Sequence, residues 1–124
     1  MNYLEKLRYL ENYAYRINKQ KGCPYPVSNQ NVICGVVSKS QRKAAAIMQR
    51  VGATPIRSRK NGPYEWELNG ERWIWFNASN HCRGYRLYKC YLDAMLDLES
   101  IQQIVWPALA FYCCELKIVD TTKF

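Results

Sequence analysis

Residues 77 to 95 read NASNHCRGYRLYKCYLDAM, and this stretch decides the fold. Leu87-Tyr88-Lys89-Cys90-Tyr91-Leu92 reads as a short β-strand that delivers Asp93 to its carboxyl end. Arg83 and Arg86 flank Gly84 just before that strand. An acid at the carboxyl end of a buried strand stands where open α/β sheets place ligands and metal ions.

Immediately upstream, Tyr64-Glu-Trp-Glu-Leu68, then Asn69-Gly70, then Glu71-Arg-Trp-Ile-Trp-Phe76 predicts a β-hairpin on a two-residue turn. That register puts Tyr64, Trp66, Leu68, Trp73 and Trp75 on one face and makes Glu67 and Arg72 cross-strand neighbours on the other. An aromatic face of this kind can stack on bases, but the commoner use is packing on a helix. Thr54 to Pro63 reads as a basic, proline-containing loop.

Further upstream, Val32-Ile33-Cys34-Gly35-Val36-Val37 is a nearly continuous apolar run, typical of a strand buried on both faces. Ser38 or Ser40 can cap a helix over 40 to 51, with Ala44, Ala45, Ile47, Met48 and Val51 facing inward and Gly52 closing it. Residues 3 to 20 carry Leu4, Leu7, Leu10, Ala14 and Ile17 at helical spacing, which predicts an amphipathic helix. Gly22 ends it, and Pro24 and Pro26 keep the next segment extended.

Downstream, a helix is expected from about Leu98 to Tyr112, kinked or shortened by Pro107. Asp97 and Glu99 are placed to cap or charge its start. Glu115 to Thr122 reads as another short strand with polar residues at its carboxyl end. Strand, helix, hairpin, strand, helix, strand is an α/β pattern with parallel strands joined by crossovers.

At 124 residues the chain is long enough for one domain with an ordinary core. About half of it is apolar and aromatics are plentiful, which excludes a disordered chain. The net charge of +8 favours an anionic partner, whether nucleic acid, a membrane surface or an acidic protein. The charge is uneven, because no acid occurs between Asn12 and Tyr64. Lys39, Arg42, Lys43 and Arg50 belong to one helix or its start, and Arg57, Arg59 and Lys60 follow. Together they can track phosphates without reading sequence, or form a solvated face. Charged residues occur by position 5 and no apolar run approaches the ~20 residues of a membrane span, so no signal peptide or membrane segment is expected. Cysteines at 23, 34, 82, 90, 113 and 114 read as free thiols in a reducing cytoplasm.

The order of these signals resembles the P-loop ATPase domain of a phage terminase large subunit, the DNA-packaging motor. The resemblance rests on a strand leading into SKSQRKAA, the WELNGERWIWFNAS hairpin, the RGYR loop, the strand ending CYLDAM, the helix ending WPAL and the strand ending IVDTT. It implies a small three-layer P-loop-ATPase-like sheet, parallel strands plus the hairpin, flanked by helices. On that resemblance Asp93 matches the Walker B aspartate that orients magnesium. Thr121 and Thr122 match the coupling motif, and Arg83 and Gly84 match the loop before Walker B.

Two departures accompany the likeness. No G-x-x-x-x-G-K-[ST] occurs, so nothing cradles nucleotide phosphates. Ala94 stands where the family has the glutamate that polarises the attacking water. Phosphoryl transfer depends on positioning and charge stabilisation, so the expectation is a single domain over 1–124 that is not an enzyme and takes no cofactor. It would lack the P-loop strand and the nuclease domain, with Asp93 vestigial. It would act by binding a protein such as a packaging-motor component, or DNA, as an inhibitor or decoy. The alternatives are a stand-alone basic nucleic-acid-binding protein, through the basic residues above with Arg83 and Arg86, or half of an ATPase completed in trans. Loss of the P-loop strand would leave residues 116–120 as a sheet edge, covered by the C-terminal tail or used for self-association or partner binding.

Other chemistry is weaker. His81-Cys82, Cys90 and Cys113-Cys114 lack the paired two-to-four-residue spacing of structural zinc, and no metal site is expected. A single histidine beside Cys82 gives no recognisable cysteine–histidine pair.

Overall fold

The computed structural model describes residues 1–19, 32–79, 85–109 and 113–124. Strand β1 (Val32–Val37) lies inside the sheet, and its residues from Cys34 to Val37 are buried on both faces, as the apolar run predicts. Gly35 is required there. A Cβ at that position would come within 2.7 Å of Leu87 and 3.4 Å of Phe76. The missing side chain is the space those two core residues fill.

Helix α1 (Tyr3–Asn18) is capped by Asn2, whose side chain accepts from the Glu5 N–H at 2.8 Å. Leu10, Ala14 and Ile17 form its buried stripe, with Leu7 partly covered. Leu4, expected on that stripe, is exposed, and Tyr3 packs against the core instead. Helix α2 (Gln41–Arg50) takes Ser40 as its cap, the hydroxyl accepting from the Lys43 N–H at 3.2 Å. Ser38 is buried and donates to the Ser40 carbonyl at 2.7 Å. Gly52 adopts φ +80°, the left-handed conformation expected just beyond a helix end.

Thr54 to Pro63 is not a loop. It contains strand β2 (Thr54–Arg59) and the start of β3 (Gly62–Leu68), paired antiparallel. Every residue of β2 is exposed, so no apolar alternation marks it. As an edge strand it tolerates Pro55, and its register slips around Ile56. Strand β4 (Glu71–Phe76) pairs with β3 across Asn69 (φ 53°) and Gly70 (φ 80°), a turn with both central residues left-handed. Trp66 faces Trp73 and Glu67 faces Arg72, the register read from the sequence. Arg72 nevertheless reaches diagonally to buried Glu65 at 2.6 Å.

Strand β4 also runs parallel beside β1, so the hairpin is continuous with the parallel set. Strand β5 (Arg86–Asp93) flanks β1 on the other side and β6 (Glu115–Val119) flanks β5, both parallel. The order β2-β3-β4-β1-β5-β6 makes a six-stranded mixed sheet. Helix α2 packs through Ala44, Ile47 and Met48 on one face, against Val36, Trp66 and Trp73. Helix α1 and the helical residues 98–109 pack on the other, against Val37, Leu87, Leu92 and Leu116. The chain is therefore an α/β protein with helices on both sheet faces. The hairpin aromatics Trp66 and Trp73 serve as packing surface.

The expected single helix beyond Leu98 is composite. Helix α3 (Leu98–Ser100), capped by Asp97, runs into a π-helical stretch (Ile101–Val105) and then α4 (Trp106–Leu109). Pro107 has no N–H and crowds the carbonyl four residues back, which accounts for the widened turn before it. Residues 110–112 of the expected helix lie outside the described residues. Strand β6 ends at Val119, and Thr121–Lys123 forms a 3-10 turn rather than continuing the strand.

Among the described residues, strand β6 lies at the sheet edge, as expected, and its outward-facing backbone is covered at one point by α1. The Asn18 amide donates to the Leu116 carbonyl at 3.0 Å and accepts from the Leu116 N–H at 2.7 Å. In a parallel edge strand only alternate residues direct both backbone groups outward. Asn18 thus closes one of the few positions at which another strand could add.

Candidate functional site

Strands β1, β4, β5 and β6 all end on the same side of the sheet, because each runs parallel to its neighbour or joins one that does. Asp93 closes β5 there with no exposed surface. Its Oδ1 accepts from the Met95 N–H at 2.9 Å and from the Thr121 hydroxyl at 2.7 Å. Its Oδ2 is buried with no hydrogen-bond partner among the described residues, and the Lys43 ammonium stands 3.8 Å away. Asp93 and Thr121, read as site residues from a resemblance, are therefore in direct contact. Lys43, read as a phosphate contact, turns instead toward Asp93.

Thr122 goes elsewhere. Its hydroxyl donates to Asp120, and its N–H reaches the same carboxylate at 3.1 Å. Asp120 also accepts from the Tyr3 hydroxyl at 2.7 Å. Those bonds, from Thr122 first and then Tyr3, hold the Asp120 carboxyl below its usual range. Burial, then the Asp120 hydrogen bond and charge, pushes the Tyr3 phenol up to about 12. On the next turn of α1, Lys6 donates to the Leu96 carbonyl. Burial lowers its pKa, against the raising effect of the Asp97 and Asp93 charges. Tyr3 and Asp120 were not singled out by sequence reasoning, and 117 positions separate them. No local spacing signals such a pair.

A cleft of about 370 Å³ opens on this side of the sheet, lined by Lys39, Asn77, Met95, Leu96, Asp97 and Ser100 among others. Asp93 is not part of its lining. The residues present do not fit a magnesium ion at Asp93. One carboxylate oxygen is held by two donors, the other faces an ammonium, and Ala94 offers no second ligand. Hard divalent cations need several oxygen ligands with room for water. Among the described residues no set of three His, Cys, Asp or Glu side chains is arranged to hold a metal.

The basic residues divide. Lys39 and Arg42 are exposed at the start of α2, and Lys60 is exposed at the β2–β3 turn. That turn lies at the same end of the sheet, since β2 runs in the direction of β4 and β1. Gln41 joins the two places by donating to the carbonyls of Gly62 and of Pro63, the latter at 3.1 Å. Arg59 is nearby with its guanidinium 4.4 Å from the Tyr64 ring centroid. Arg57 pairs with Glu65 at 3.5 Å, and Arg50 stacks on the Phe124 ring at 3.9 Å. Arg86 begins β5, seven residues from Asp93, roughly 23 Å along an extended strand. It stands at the opposite end of that strand. Arg83, with Gly84, His81 and Cys82, lies outside the described residues.

The thiols of Cys34 and Cys114 are free. Burial, followed by the Glu71 charge, pushes the Cys34 thiol up to about 12. Such a group is a poor nucleophile. No helix among the described residues is long and apolar enough to cross a membrane.

No family model, curated protein or solved structure matches the chain.

Proposed function

We propose that this chain is a non-catalytic, terminase-like protein that acts by binding, as an inhibitor or decoy toward a component of a packaging motor. The observation that carries the reading is the state of Asp93. An acid at the carboxyl end of a parallel strand is closed in by Thr121, Met95 and Lys43 rather than opened to a ligand. An ammonium near the free oxygen takes the place a cation would need. Ala94 has no proton to exchange and cannot orient water.

Equilibrium dialysis of the chain with ATP and magnesium tests this, together with a hydrolysis assay. No retained nucleotide and no phosphate release are expected. Saturable retention by the chain alone would overturn the reading, and retention only with a P-loop partner would favour half of an ATPase completed in trans.

A second reading, a basic nucleic-acid-binding protein, is favoured by one observation. Lys39, Arg42, Arg59 and Lys60 gather at one end of the sheet although the sequence separates them. A phosphate-dominated contact weakens steeply with salt. Binding to nonspecific DNA that falls with salt and is lost in a Lys39→Glu, Arg42→Glu, Lys60→Glu variant would establish it.

A further inference from the structure

On the α2 face of the sheet, a second depression of about 430 Å³ lies between the last turn of α2 and the edge strand β6. Helix α2 covers β1, β3 and β4 there, and the outer part of β6 extends beyond it. Val51, Val119 and Phe124 give the depression apolar walls, and Val51 and Phe124 are 39% and 44% exposed. Arg50, Lys117 and Lys123 stand around it. The one carboxylate side chain among the lining residues, Asp120, already accepts from Tyr3 and Thr122.

We propose that this groove docks a short acidic segment of a partner protein. An apolar or aromatic side chain of that segment seats between Val51 and Phe124, and flanking Asp or Glu carboxylates pair with Arg50 and Lys123. The inference deepens the binding function proposed above and rests on it. Charge complementarity selects the occupant. Three cationic side chains against one engaged carboxylate favour an anionic partner, and a second copy of a chain with net charge +8 is repelled. A nucleic-acid backbone would satisfy the cations but leave the apolar walls facing phosphate and sugar. A peptide side chain fills them and removes apolar surface from water. Arg50 lies with its guanidinium over the Phe124 ring at 3.9 Å. Stacking engages the face of the guanidinium and leaves its N–H edge for a carboxylate fork.

The test is selection of a random peptide library on the full chain, with affinities of the enriched peptides then measured by fluorescence anisotropy. Enriched peptides are expected to combine an aromatic or branched aliphatic residue with Asp or Glu. Their binding should weaken ~10-fold or more in an Arg50→Glu, Lys123→Glu variant that melts like the parent. Lys117→Gln with Lys123→Gln provides a milder second variant should the reversal disturb folding. Amide shifts on binding are expected at Val51, Val119 and Phe124. No enrichment, enrichment without acids, unchanged affinity in both variants, or equal competition by a homopolymeric DNA strand would overturn the groove. Magnesium and ATP added to the same sample separate the two claims. A saturable shift at Met95 and Thr121 would overturn the non-catalytic reading and leave the peptide result standing.

Discussion

The Thr121 hydroxyl donates to Asp93 Oδ1 at 2.7 Å, joining the end of β5 to the turn after β6. Both residues sit where an α/β sheet would place a ligand, and they bond each other. Asp93→Asn should destabilise the fold by about 1–3 kcal/mol, because its buried amide N–H would face the Lys43 ammonium. Thr121→Val should cost about 1 kcal/mol. A double-mutant cycle in urea should give a coupling of about 1 kcal/mol. An acid held ready for a missing ligand would behave differently, since its replacement commonly leaves stability unchanged or raises it.

The Tyr3 and Cys34 pKa values set an alkaline limit. Both are raised to about 12 from ordinary values of 10.0 and 9.0. Their contribution is complete below pH 9.0 and is lost as pH rises toward about 12. Asp120 is held below 3.8, so its contribution is present above that value and lost as pH falls through the lowered one. Urea midpoints measured against pH should fall less steeply on the alkaline side for a Tyr3→Phe, Cys34→Ala variant. Parallel limbs would show that neither group is linked to folding.

Glu65 is buried, and two arginines of unequal reach hold it. Arg72 bonds it at 2.6 Å, whereas Arg57 stands 3.5 Å away with 65% of its side chain exposed. Arg72→Ala should therefore cost about 1–2 kcal/mol and Arg57→Ala less than ~1 kcal/mol. Thermal melts of the two variants decide the order, and equal losses would contradict the geometry.

Asn18 covers Leu116 on the outer edge of β6. Asn18→Ala should both destabilise the fold, by about 1 kcal/mol, and raise self-association by freeing an edge position. Sedimentation of the variant against the parent checks this. A variant that stays as monomeric as the parent would show that other features guard the edge.

What could be read from the sequence follows from how local each signal is. Val32–Val37 and the Asn69-Gly70 hairpin were legible because apolar runs and left-handed turn residues act within a few positions. Strand β2 was not, since an exposed edge strand held by pairing to β3 carries no apolar alternation. The resemblance selected Asp93 and Thr121, but their mutual bond, the Lys43 approach and the Tyr3–Asp120 pair are products of tertiary folding. The basic residues were legible as a set and not as a surface. Arg57 and Lys43 turn to carboxylates, while Lys39, Arg42 and Lys60 converge only through the sheet.

The central claim is that Asp93 closes the fold and binds no metal–nucleotide complex. Titration of the whole chain with magnesium and ATP, followed at the Met95 and Thr121 amides by NMR, tests it most directly. The account predicts no saturable shift at either amide. A saturable shift at both, abolished by Asp93→Asn in a folded variant, would contradict it.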